Sequence, residues 1–114
     1  MINRRKDMKT EIKDKLRGGE GATTLLHLAD GAAMKHGRLF SEITLLPGAS
    51  IGEHRHDNET EYYYITEGAG IVVDNGKDAP VGPGDLVVTG DGASHSIRNT
   101  GNAPLRFVAV IITY

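Results

Sequence analysis

The chain has 114 residues, 39% of them hydrophobic and 25% charged, the make-up of one globular domain rather than of two domains or a disordered segment. Thirteen basic and fifteen acidic side chains leave a formal charge of −2, which offers no cationic track for a nucleic acid, and no apolar run approaches the roughly 20 residues that span a bilayer. Cysteine is absent and residues 1–10 lack the apolar centre of a signal peptide, so no disulfide framework forms and a cytoplasmic location is the expectation.

In the first 22 residues, Met8, Ile12 and Leu16 stand at helical spacing while Arg17-Gly18-Gly19-Glu20-Gly21 reads as loop, so an N-terminal arm is expected there, either a short helix or an irregular stretch. From residue 23 to 114 the chain reads as one β domain. Fifteen glycines, close to twice the usual share of about 7%, separate short runs rich in β-branched and apolar residues that recur about every ten positions. Strands are predicted over 23–28, 38–46, 51–56, 61–66, 70–74, 85–89, 94–99 and 105–112. Asp74-Asn75-Gly76-Lys77 carries the pair that a type I′ turn demands, so 70–74 is expected to fold back as a hairpin. Pro47-Gly48 and Pro83-Gly84 each open a turn before a strand. Eight strands and almost no helix predict an all-β sandwich or barrel.

The chemistry gathers between Gly48 and His95. His54 and His56 stand two apart on a predicted strand, which puts both imidazoles on one face. Glu61 opens the next strand, and the turn formers Asp57-Asn58-Glu59-Thr60 reverse the chain so that this carboxylate returns toward the two rings. His95 follows a loop with Gly90 and Gly92. Three imidazoles and one carboxylate suit a divalent transition ion, and four protein groups around an ion that prefers six leave two neighbouring positions open. Three neutral rings and one carboxylate around a 2+ ion leave a charge of about +1. A small anion that chelates through two oxygens is the ligand such a site prefers.

These residues spell G-x5-H-x-H-x4-E-x6-G at Gly48, His54, His56, Glu61 and Gly68, which resembles the first motif of the cupin superfamily. Gly84, Gly92, His95 and Asn99 match the second motif, G-x5-P-x-G-x2-H-x3-N, with Gly90 where that motif has proline. That departure is expected to loosen the loop before His95 without touching a ligand. The chain is similar to small single-domain cupins of the oxalate decarboxylase and sugar-phosphate isomerase-like group. The resemblance implies a double-stranded β-helix, a jelly-roll barrel with an ion held near one mouth. It also implies His54, His56, Glu61 and His95 as ligands of a metal such as manganese, iron, nickel, zinc or copper, and a homodimer.

Alternation after Glu61 sends Tyr63 inward as a candidate for the substrate chamber, while Tyr62 and Tyr64 point outward as candidate contacts between sheets or subunits. Arg38 and Arg106 are the candidate guanidinium clamps for a substrate carboxylate; which face of strand 38–46 turns inward is open. Parity sends Arg55 and Arg98 outward, and Glu53 lies out of phase with His54. His27 and His36 belong to no spaced set and read as surface or satisfied side chains. Asn99 reads as a residue that bonds backbone, and Glu59 as a turn residue that contributes only by folding over the mouth. The function expected is a metalloenzyme that acts on a small carboxylate or sugar-derived acid by Lewis-acid catalysis, with oxalate decarboxylation as one case. The alternatives are a non-catalytic sugar- or acid-binding module and an iron-dependent dioxygenase.

Overall fold

The computed structural model describes residues 1–114, and its chain forms ten strands in chain order: β1 (Lys9–Asp14), β2 (Ala22–His27), β3 (Gly37–Leu45), β4 (Ser50–Arg55), β5 (Glu59–Glu67), β6 (Gly70–Asp74), β7 (Lys77–Val81), β8 (Leu86–Gly90), β9 (Ser94–Asn99) and β10 (Leu105–Thr113). Every pairing is antiparallel. One sheet of six strands runs β1-β2-β3-β10-β5-β8 and a second of four runs β4-β9-β6-β7. This is the jelly roll expected.

Eight strands fall where alternation placed them. The other two carry no apolar alternation. All six residues of β1 are exposed, and Ile12, the centre of the apparent helical spacing, is 68% exposed. The stretch expected as a short helix or irregular arm therefore includes an edge strand, held by its ladder to β2 from Lys9↔His27 to Asp14↔Ala22. Strand β7 contains Pro80 and lies at the edge of the smaller sheet, the place where a residue without an N–H is tolerated. The turn that joins it to β6 has positive φ at Asn75 and Gly76 (47° and 90°), as the Asn-Gly pair predicted.

The inward face of β3 is the one with Ser41, Ile43 and Leu45, which settles the face that the sequence left open. Ile43 and Leu45 meet Ile51, Tyr63, Ile65, Val72, Ile97, Leu105 and Phe107 in one apolar core, where each large side chain contributes about 1.5 to 3 kcal/mol by leaving water. Asn99 donates to the carbonyls of Leu45 and Ala103 at 2.8 and 2.9 Å and accepts from the Gly101 N–H, which is the backbone-bonding role expected.

Two local features aim the polar end of the barrel. Pairing of β4 with β9 shifts register between Ile51 and His54, so inward-facing Ile51 is followed, three residues on, by inward-facing His54. A bulge of this kind turns side chains to a new face. Gly90 closes β8 opposite Thr60, and a Cβ there would lie 2.3 Å from the Thr60 hydroxyl. The glycine expected to loosen its loop instead permits a close approach of two strands.

Phe107 is fully buried with its ring centroid 4.6 Å from that of Tyr63. Phe107→Ala is expected to cost about 3 to 5 kcal/mol of unfolding free energy, read as a lower urea midpoint with an unchanged slope. A loss under about 1 kcal/mol would contradict the packing described.

Candidate metal centre

Three strands deliver the site. His54 and His56 come from β4 and the residue after it, Glu61 from β5, and His95 from β9, where it is the ladder partner of His54. The ligating atoms of the four residues all lie within 4.8 Å of one another. His95 Nε2 is 2.9 Å from His54 Nε2, 3.0 Å from His56 Nε2 and 2.9 Å from Glu61 Oε1. Glu61 Oε1 is also 3.0 Å from His56 Nε2 and 3.6 Å from His54 Nε2. Bonds of about 2.1 Å at right angles place neighbouring ligand atoms about 3.0 Å apart, so the spacing fits a small divalent ion.

Proton bookkeeping leads to the same conclusion. The Nδ1–H of His54 donates to the Gly52 carbonyl at 2.8 Å. That of His56 donates to Glu59 Oε2 at 2.5 Å. Neither acceptor has a proton to give, so in the neutral rings both Nε2 atoms present bare lone pairs to the centre. Glu61 adds a carboxylate oxygen, and His95, with Nδ1 held by the Thr89 hydroxyl at 2.9 Å, can place at most one proton among the other three. Acceptors outnumber donors at a buried point. A cation resolves the deficit.

Protonation equilibria follow from this crowding. Burial pushes the Glu61 carboxyl up, but the three surrounding imidazoles of His54, His56 and His95 prevail and hold it far below the usual carboxylate range. Burial also pulls His56 down, yet hydrogen bonds to Glu61 and Glu59 outweigh it and leave the ring above its ordinary value. For His95 burial dominates over Glu61, and the charges of His54 and His56 add to it, so its value is lowered. Burial, followed by the charge of Glu61, raises the Tyr63 phenol. Tyr63 therefore stays an O–H donor.

A cleft of about 130 Å³ opens over His54, His56 and Glu61, bordered by Tyr63, Arg38, Leu39 and Ile51 and, from the N-terminal segment, by Lys13, Leu16 and Arg17. Tyr63 points inward as expected and stacks on His95 at 4.7 Å between centroids. Arg38 sits at the rim with one edge of its guanidinium occupied: Nε and one terminal nitrogen donate to the two oxygens of Glu59 at 2.7 and 2.8 Å. Arg106 pairs with Glu67 at the exposed end of its strand, Arg55 with Asp57, and Arg98 approaches Asp78 at 4.0 Å. None of these three borders the cleft. His27 is satisfied by Ser41 and Glu11, and His36 is exposed.

Glu59 was expected in the turn. It is instead the first residue of β5 and shares the inward face of Glu61 and Tyr63. Hydrogen bonds from Arg38 hold its carboxyl down to about 2, against burial and with help from His56, so it remains a carboxylate that orients the His56 ring. Its spacing of two from Glu61 was the available signal. Thr89 and the N-terminal cations left no comparable pattern.

Residues 41–111 match the cupin domain family. The chain is 46% identical over 113 residues to an oxalate-binding protein of Thermotoga maritima, across 98% of this chain and 93% of that one. A crystal structure of a predicted oxalate decarboxylase, also from Thermotoga maritima, superposes with a TM-score of 0.92 at 44% identity and covers 100% of both chains. The polyketide cyclase RemF from Streptomyces resistomycificus superposes with a TM-score of 0.77 at 26% identity, over 99% of this chain and 80% of that one.

The geometry predicts one divalent ion per chain by elemental analysis of dialysed protein. Glu61→Ala should lose that ion, and Glu59→Gln, which weakens the hold on the His56 tautomer, should lower metal affinity about 10- to 100-fold. Full metal content in Glu61→Ala would show that the four groups do not act as one site.

Proposed function

The chain belongs to the cupin family, and from that premise we propose that His54, His56, Glu61 and His95 hold one divalent transition-metal ion on which a small dicarboxylate of the oxalate class binds. The observation that carries the reading is the convergence of bare imidazole lone pairs and a carboxylate oxygen at one buried point. When bound, such an ion supplies Lewis acidity toward a coordinated carboxylate. It leaves a local charge of about +1 after the Glu61 carboxylate is counted, and the cleft lining adds cationic side chains but no second carboxylate.

Size narrows the ligand. Pockets for drug-sized molecules run from about 300 to 1,000 Å³, whereas this cleft has about 130 Å³. A two-carbon diacid fits that space better than a sugar acid does. The relative at 46% identity bears the name of an oxalate-binding protein, which supports the same class. Tyr63, a buried and neutral phenol on the cleft wall, is suited to donate its O–H to a bound carboxylate oxygen. Arg38 is assigned a place at the rim, where it braces Glu59 and through it His56.

Binding, rather than turnover, is what the residues support best. Decarboxylation needs a proton donor beside the metal, and the one carboxyl that lines the cleft is Glu61, itself a proposed ligand held as carboxylate. Glu59 is committed to Arg38 and His56. The second reading, Lewis-acid catalysis on the same diacid, is favoured by the neutral phenol of Tyr63 alone.

A homodimer is proposed on the outer face of the six-stranded sheet. There the ladder sets Phe40, Val110, Tyr62 and Val88 side by side, with Tyr64 opposite Leu86 in a neighbouring row. Phe40, Tyr64, Leu86 and Val88 are 37%, 49%, 56% and 51% exposed. Contiguous apolar surface of this kind marks an association face.

Titration of the metal-loaded protein with oxalate is expected to give saturable binding that chelation abolishes, with the oxalate recovered unchanged after hours. Binding that survives metal removal would overturn the site, and conversion to formate and carbon dioxide would establish the catalytic reading. Val88→Glu should turn a dimer into a monomer in sedimentation while metal content stays the same; an assembly indifferent to this change would refute the proposed face.

A further inference from the structure

We infer that the N-terminal segment supplies a wall of the metal cleft and that Arg17, assisted by Lys13, clamps the carboxylate of the bound diacid that lies away from the ion. The inference rests on the reading of the cleft as a carboxylate site and names the residue that gives it selectivity for two carboxylates over one.

Position and availability carry the assignment. Two arginines border the cleft. Arg38 has the Nε edge of its guanidinium bonded to Glu59 and its charge paired there. Arg17 makes no side-chain hydrogen bond and has no carboxylate within 4.0 Å, so its five N–H groups are free to receive an oxyanion in the bidentate geometry that guanidinium favours. Lys13 reaches the same cleft from β1, with Glu11 only at 4.0 Å.

The backbone is built to hold that position. Arg17 itself has φ 55° and ψ 29°, and Lys15 has φ 50° and ψ 46°, a left-handed conformation that side-chain-bearing residues rarely adopt. Such outliers persist where the surroundings determine them. Here they are determined by docking on β4. The Ser50 N–H donates to the Glu20 carbonyl at 2.9 Å, and the Glu20 N–H donates to the Ser50 hydroxyl at 2.8 Å. A Cβ on Gly52 would lie 2.0 Å from the Arg17 carbonyl oxygen, and one on Gly19 would lie 2.2 Å from that of Ser50. Two glycines thus allow backbone to rest on backbone. Leu16 anchors the turn against the apolar core. Gly52 also accepts from the His54 ring, so one residue both seats the Arg17 backbone and orients a proposed metal ligand.

The test compares wild-type protein with Arg17→Ala, Arg17→Lys and Arg17→Glu, each loaded with manganese, by calorimetric titration of oxalate and of acetate and by metal content after dialysis. Loss of one charge-assisted bidentate contact should weaken oxalate binding about 10- to 100-fold in Arg17→Ala, partly restored in Arg17→Lys and abolished in Arg17→Glu. Acetate, held through its single carboxylate, should lose far less, and all variants should retain one metal per chain and the wild-type melting temperature. Oxalate affinity in Arg17→Ala equal to that of wild type overturns the assignment and leaves the carboxylate site standing. Equal losses for oxalate and acetate also overturn it. A metal-loaded wild type that binds neither anion overturns the site and the clamp together.

Discussion

A buried meeting of hydrogen-bond acceptors that outnumber their donors is the constraint around which this molecule is organised. A polar group left unpaired in the interior costs about 1 to 3 kcal/mol, and here three ring nitrogens and a carboxylate oxygen share one point. The barrel confines this cost to one stretch of each strand. Along the inward face of β5 the order is Glu59, Glu61, Tyr63, Ile65, and along β9 it is His95, Ile97, Asn99. Each strand that carries one of these polar groups passes directly into apolar core. The aromatic pair Tyr63 and Phe107 then forms the floor, with Tyr63 stacked on His95 from below. Positioning of the polar end is thus paid for by burial in the apolar end.

The groups around the four converging side chains explain why the arrangement is held rather than merely possible. Each histidine has its second ring nitrogen fixed by a different partner: a backbone carbonyl for His54, a carboxylate for His56 and a hydroxyl for His95. Two of the three partners are acceptors only, which selects the tautomer with a free Nε2. Glu59 is itself kept charged by the Arg38 fork. The chain Arg38 to Glu59 to His56 therefore converts a rim arginine into control over a buried ring. The effect of Arg38 on any bound ligand passes through geometry as well as through charge.

Much of this architecture was legible in the sequence because its signals were local. Period-two burial marked eight strands, Asn75-Gly76 marked its hairpin, and the spacing of His54, His56, Glu61 and His95 marked the residues that the fold brings together. What escaped reading lacked a local signal. Strand β1 is exposed on every residue and exists because β2 offers an open edge. Strand β7 hides behind a proline that an edge tolerates. The shift of face between Ile51 and His54 is a two-strand property, set by where β9 takes up its register. Strict alternation from Ile51 would have turned both histidines away from the core. Glu59 was assigned to the turn on residue type, whereas Asn58, with φ 57°, takes the left-handed position and frees Glu59 to begin the strand.

Charge around the cleft argues for a division of labour between the two ends of the chain's first half. The barrel strands contribute the converging histidines and Glu61, and their cationic rim residue Arg38 is neutralised by Glu59. The segment before β2 contributes Lys13 and Arg17 with no carboxylate of its own at the cleft. Coulomb attraction between unit charges about 4 Å apart is near 1 kcal/mol in bulk water and about 4 kcal/mol at the effective dielectric of a protein surface. A cation on the cleft wall is therefore worth most to an anion that displaces water as it enters. A diacid chelated at one end would bring its other end toward that wall in a space of about 130 Å³. On the proposed reading, the length of diacid accepted would be set by the distance between the buried four-residue cluster and the cationic rim, and Gly52 touches both, through the His54 ring and the Arg17 backbone.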